Sequence, residues 1–143
     1  MELLKTWLDP LIFSSLGLMS VLMLAAALER AWFYRKLRLE DYTDPHTLMI
    51  ALTEKLTVIY TVGASAPYVG LLGTVFGILI TFHDLGQGGD IAVSRIMVGL
   101  ALALKATALG LLVAIPAVMI HNGLSRRVEV LTARWKSLKG LPE

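Results

Sequence analysis

Two threonines and one lysine stand where a hydrocarbon surrounding makes polar groups costly. Three long apolar segments run over about residues 11–28, 56–82 and 96–120, and all 11 carboxylates of the chain lie outside them. Thr74 lies deep in the second segment, Lys105 and Thr107 in the third. An ionisable side chain within a membrane segment is a functional candidate by default. A hydroxyl both donates and accepts hydrogen bonds. Hydroxyls on faces of small residues, in spans without a carboxylate, read as half of a site whose acid comes from a partner chain.

Helical periodicity places these residues. At about 100° per residue, Thr74 shares a face with Gly63, Pro67, Gly70, Gly77 and Thr81, a stripe of small or hydroxyl-bearing side chains. Leu72, Phe76 and Leu79 face the other way. Thr107 shares a face with Ala103, Gly110 and Ala114, and with the larger Leu100 and Leu111. Small residues let helices approach closely in a membrane. The plain expectation is that both stripes are packing seams, with the threonines bonded to backbone carbonyls. The sharper one is that they line a lumen or clasp a helix from another protein. Lys105 lies about 200° from Thr107, on a face with Val98, Leu102, Leu109 and Leu112. Two outcomes stay open for it. Its stem reaches along the helix to the outer interface, about 15 Å away, or its ammonium pairs with a partner's carboxylate or loses its charge to burial.

The elements that must position these residues are membrane helices. The chain has 143 residues, 56% of them hydrophobic, and a mean hydropathy of +0.70. A span needs about 20 predominantly apolar residues; the first segment is near the short limit and the other two exceed it. The fold class expected is therefore all-α, an integral membrane protein with three transmembrane helices forming one domain over residues 1–143. Arg30, Arg35, Lys36, Arg38 and Lys55 fall in the loop 29–55, and Arg126, Arg127, Arg134, Lys136 and Lys139 in the tail 121–143. The excess of cations places loop and tail in the cytoplasm and the N-terminus in the periplasm. Trp7 on one side, and Trp32 with Tyr34 on the other, fit interfacial anchors. Glu2 and Asp9 flank a lone Lys5, so the start does not read as a secretory signal. Cysteine is absent, which excludes disulfides and thiolate metal sites. The net charge of +2 sits at membrane flanks and does not argue for nucleic acid.

Met1–Asp9 reads as a short outer lead, with Pro10 in the first turn of the first helix. That helix continues past Leu28 into Glu29–Arg38. After a polar break over Glu40–Asp44, Asp44-Pro45 reads as a helix N-cap followed by proline, and one helix is expected from Pro45 through Phe82, extended into the cytoplasm. Pro67 and Pro116 predict kinks. The loop His83–Asp90, with Gly86, Gly88 and Gly89, is the tight connection. The third helix starts near Ile91 and extends into an amphipathic tail over Glu129–Lys136. The three histidines, His46, His83 and His121, sit at span edges without ligand spacing. Ser65 and His46 lie about 28 Å apart along one helix, which excludes a hydrolase pair within one chain. No cofactor or metal is expected, and no enzymatic activity.

Two stretches carry a resemblance. Thr61-Val-Gly-Ala-Ser-Ala-Pro-Tyr-Val-Gly-Leu-Leu-Gly-Thr-Val-Phe-Gly-Ile78 resembles the second-span motif of the MotA/TolQ/ExbB proton-channel family, and Ala103-Leu-Lys-Ala-Thr-Ala-Leu-Gly-Leu-Leu-Val-Ala-Ile-Pro-Ala-Val118 its third-span motif. Glu29-Arg30 followed by Trp32 and Arg35 is similar to the end of the first span in ExbB and TolQ. The short first loop resembles a compact ExbB. The resemblance implies a homo-oligomeric ring, a pentamer, in the bacterial inner membrane around an ExbD-like single-span protein whose aspartate carries protons. It implies work done on a TonB-like protein for outer-membrane import. It places Thr74 and Thr107 on the lumen and proton pathway, to which Thr81 is added because it shares the Thr74 face. Gly70, Gly73, Gly77 and Gly110 are assigned to helix packing as small residues of the spans, and Pro67 and Pro116 to kinks, with membrane lipids around the ring. The family's third-span glutamate falls at Leu102, so that role is not carried over; Lys105 stands one turn further on. The alternatives are a TolQ-like subunit of the Tol-Pal system, a flagellar stator relative, a small solute transporter and a structural membrane scaffold. The short loop argues against the stator. Three spans and the missing intramembrane glutamate argue against the transporter.

Overall fold

The computed structural model describes residues 1–89 and 92–142. Its architecture is all-α. Helix α1 spans Glu2–Lys36, α2 Pro45–Thr53, α3 Leu56–Gly86 and α4 Val93–Leu138, with a 3-10 turn at Leu39–Asp41. Three of these, α1, α3 and α4, are long and apolar enough to cross a membrane.

The long helices pack through faces of helical spacing. On α1 the buried residues are Leu8, Ile12, Leu16, Met23, Ala26, Arg30 and Tyr34, a stripe repeating every three or four positions. The α3–α4 hairpin is antiparallel and is the tightest pair, because its facing residues are small. A Cβ added at Gly70 would stand 2.6 Å from the Ala106 carbonyl oxygen and 3.1 Å from the Gly110 Cα. One added at Gly110 would stand 2.7 Å from the Ala66 carbonyl oxygen. Gly73 abuts Ala106 and Ile12, and Gly77 abuts Ala103, in the same way. Backbones that touch gain dispersion contact, the main attraction between helices where lipid is as apolar as leucine. Away from the seam, large apolar side chains such as Leu22, Leu72, Leu79, Leu112 and Met119 are exposed, as suits lipid or further subunits.

Several sequence expectations need correction. Met1–Asp9 is not a lead ahead of the first helix, and Pro10 is not in its first turn: α1 begins at Glu2 and contains Pro10. The helix expected from Pro45 through Phe82 is two helices. It breaks at Glu54–Lys55, where Lys55 takes a left-handed backbone with φ 64°. The second long helix therefore extends beyond its span only through a separate short one, α2. At its other end α3 runs on to Gly86, leaving Gly88 (φ 80°) and Gly89 (φ 144°) to make the turn. The start expected near Ile91 lies outside the described residues. Asp44 caps α2 as expected, its Oδ2 accepting from the Thr47 backbone N–H at 2.9 Å, with Pro45 at the first helical position. The tail of α4 is helical to Leu138 and buries Val128, Leu131 and Trp135, in one core with Leu48 and Leu52 of α2.

Candidate functional site

Thr74 and Thr107 meet across the α3–α4 seam. The close approach at Gly70 and Gly110 brings a short side chain of one helix within reach of the other's backbone. Thr74 Oγ1 lies 2.9 Å from the Ala103 carbonyl oxygen of α4 and 2.5 Å from Thr107 Oγ1, and 3.4 Å from the Gly70 carbonyl of its own helix. Thr74 is buried and Thr107 half-buried. Within the chain the two stripes pack as a seam and Thr74 is bonded to a carbonyl, whereas the Thr107 hydroxyl meets the Thr74 hydroxyl instead of the carbonyl expected for it.

The donor count gives the pair a second property. Each hydroxyl has one proton to give. When Thr74 donates to Ala103, Thr107 donates to Thr74, and the Thr107 oxygen is left as an acceptor toward the partly open side. When Thr74 donates instead to Thr107, the Thr107 proton is released to point outward. The Ala103 carbonyl keeps its own helical bond in either case. Two hydroxyl rotations therefore convert the outward group from an acceptor for a carboxylic acid into a donor for a carboxylate.

The other candidates lie apart from this pair. Thr81 is about 10 Å further along α3 and donates to the Gly77 carbonyl at 2.9 Å. It lines a crevice at the hairpin end with Asp84 and Arg95. At that end Asp84 pairs with Lys5 of α1 at 2.5 Å, and the Lys5 bond holds the Asp84 carboxyl below its ordinary range. Lys105 is exposed on another face of α4, its Nζ 5.5 Å from the Phe13 ring centroid of α1. It is not near the threonines. Pro67 and Pro116 lie inside α3 and α4, which continue as helices through both.

A polar node at the other end joins Arg30, marked in the sequence only through the Glu29-Arg30 resemblance, with Tyr34, which is buried there instead of serving as the expected interfacial anchor. Arg30, 1% exposed, donates from Nη1 to the Ala51 carbonyl at 2.7 Å and from Nη2 to Glu29 Oε1 at 2.6 Å. It also lies 4.4 Å from the Phe33 ring centroid. Tyr34, one turn on, donates to the Leu52 carbonyl at 2.5 Å. The last carbonyls of a helix lack partners. Here two side chains of α1 satisfy those of α2 at the break before α3. The Arg30 bond holds the Glu29 carboxyl below its ordinary range, and burial pushes the Tyr34 phenol up, so it stays a donor at neutral pH. Trp135 Nε1 donates to the Tyr42 carbonyl at 2.9 Å, tying α4 to the same region. The available signal was the four-residue spacing of Arg30 and Tyr34 on the buried face of α1.

Residues 23–137 match the MotA/TolQ/ExbB proton channel family. The chain belongs to this family. It is 47% identical over 139 residues to the biopolymer transport protein ExbB of Helicobacter pylori, covering 97% of this chain and 96% of that one. It is 46% identical over 140 residues to the ExbB of Aquifex aeolicus, covering 98% and 95%. A putative biopolymer transport protein, ExbB-like 2, of Helicobacter pylori is 51% identical over 132 residues, covering 92% and 88%. The matched region includes the threonine pair, the break at Lys55 and the Arg30 node. The chain is ExbB-like along nearly its whole length.

Proposed function

We propose that this protein is the ring-forming subunit of a proton-driven motor in the bacterial inner membrane. It assembles as a homo-oligomer, a pentamer, around an ExbD-like single-span partner. Proton passage at the partner's carboxyl group drives motion that is handed to a TonB-like protein for outer-membrane import. The subunit itself carries out no bond-making chemistry. Its cation-rich ends, with α2 and the tail of α4, face the cytoplasm.

The observation that carries this reading is the Thr74–Thr107 pair, set in spans with no carboxylate of their own. A reversible donor–acceptor group beside a low-polarity helix seam suits an acid that arrives protonated and leaves ionised. Likeness to whole ExbB proteins of similar length supports the same reading.

The test is reconstitution into liposomes, with and without the single-span partner. Proton uptake is expected only with both chains present, and native mass spectrometry should find a closed ring larger than a dimer. Uptake by this chain alone, or a persistent monomer, contradicts the proposal. A preference for a Tol-type partner over an ExbD-type one assigns the motor to envelope maintenance instead.

A further inference from the structure

The outward groove between α1 and α4 is unlike the rest of the apolar surface, because a cation closes one end of it. We infer that this groove binds an anionic phospholipid, with the lipid phosphate on the Lys105 ammonium and an acyl chain laid along Gly17. The inference requires only that the helices span a bilayer, and it does not rest on the motor reading.

The backbone of Lys105 lies about 15 Å along α4 from Arg95, well inside the hydrocarbon. Helical side chains lean toward the helix N-terminus, which for α4 is the Arg95 end. The Lys105 Nζ accordingly sits 5.5 Å from the centroid of Phe13, only two residues from Leu11, where the apolar stretch of α1 begins. The long stem thus carries the charge toward headgroup level. Among the described residues, no acidic side chain pairs with it.

The groove holds about 370 Å³. Helices α1 and α4 run in the same direction, so its walls descend together from Phe13 and Lys105, past Gly17 and Leu109, to Ser20 and Leu112. A Cβ at Gly17 would meet nothing within 4 Å, so the glycine keeps the slot open rather than serving a close helix contact. The slot is about 10 Å long. An acyl chain can lie along such a slot, and a negative headgroup complements the ammonium at its end.

Binding is measured on the intact detergent-solubilised protein by native mass spectrometry. The probes are dioleoyl-phosphatidylglycerol, dioleoyl-phosphatidylcholine and oleate. The expected result is one phosphatidylglycerol retained per chain at concentrations where phosphatidylcholine is lost. Lys105→Met should weaken that binding about fivefold or more, and Lys105→Arg should preserve it. Gly17→Leu keeps the charge but fills the slot, and should also release the lipid. Circular dichroism of each variant checks that the helices remain. Unchanged phosphatidylglycerol binding in Lys105→Met or in Gly17→Leu overturns the inference. So does preferential retention of oleate, or displacement of phosphatidylglycerol on adding the single-span partner, which would assign Lys105 to a carboxylate of that chain.

Discussion

The α3–α4 seam and the Arg30 node meet the same physical demand by opposite means. Both bring a side chain from one helix to a backbone carbonyl of another segment. In the seam, glycines and alanines remove the distance, and a threonine hydroxyl suffices to reach Ala103. At the node the distance remains, and long side chains cross it: Arg30 to Ala51, Tyr34 to Leu52, Trp135 to Tyr42. The difference follows from the solvent. Within lipid, dispersion between close backbones is the main source of attraction. Beyond it, burial of Leu48, Leu52, Leu131 and Trp135 away from water does that work, so bulky residues are favoured.

Enlarging the seam should separate the two regions most clearly. Gly70→Leu pushes a side chain into the Ala106 carbonyl and the Gly110 backbone. Its expected cost exceeds about 3 kcal/mol, the upper end of ordinary overpacking, and denaturant titration in detergent should show the hairpin lost. If the variant melts like wild type, α3 and α4 are not held by contact at this point.

Arg30→Met tests the node. It keeps an apolar stem but strips the Ala51 carbonyl and Glu29 of a buried donor. A loss of about 3 kcal/mol is expected. Limited proteolysis should cut first near Lys55, while the seam stays intact. Tyr34→Phe removes only the hydroxyl bond to Leu52 and should cost about 1 kcal/mol. An equal loss in both variants would mean that the charge at Arg30 contributes nothing beyond one hydrogen bond.

The smallest effect is expected at Asp44, and it is pH-dependent. The Thr47 backbone N–H holds the Asp44 carboxyl below its ordinary range. A depressed carboxylate contributes stability that is present above its unfolded pKa, about 3.9, and lost as the pH falls through the lower folded value. The melting difference between wild type and Asp44→Ala should therefore be constant near neutrality and shrink in acid. A difference that grows in acid contradicts the cap.

The seam was legible in the sequence and the node was not, for the same reason of range. The stripe of Gly63, Gly70, Thr74 and Gly77 repeats within one helix, so periodicity shows it, and Ala103, Thr107 and Gly110 show its complement. The cap at Asp44-Pro45 is also local. The break at Lys55 has no proline or glycine to mark it. It is stabilised by Arg30 and Tyr34, which lie in another helix, and no local pattern announces that Arg30 turns inward among carbonyls rather than out to lipid headgroups. Pro10 misled for a related reason: proline suits a first helical turn, but α1 continues on its N-terminal side to Glu2, where Lys5 is tied to Asp84.

The central claim is that the threonine pair does more than pack. The direct measurement is partner-dependent proton uptake by liposomes holding the assembled ring with Thr107→Val, compared with Thr107→Ser. Valine keeps the branched shape and removes the hydroxyl; serine keeps the hydroxyl and removes a methyl. The account predicts that the valine ring assembles with its partner but loses uptake, whereas the serine ring retains it. Normal uptake in the valine ring would show that Thr74 and Thr107 serve the seam alone.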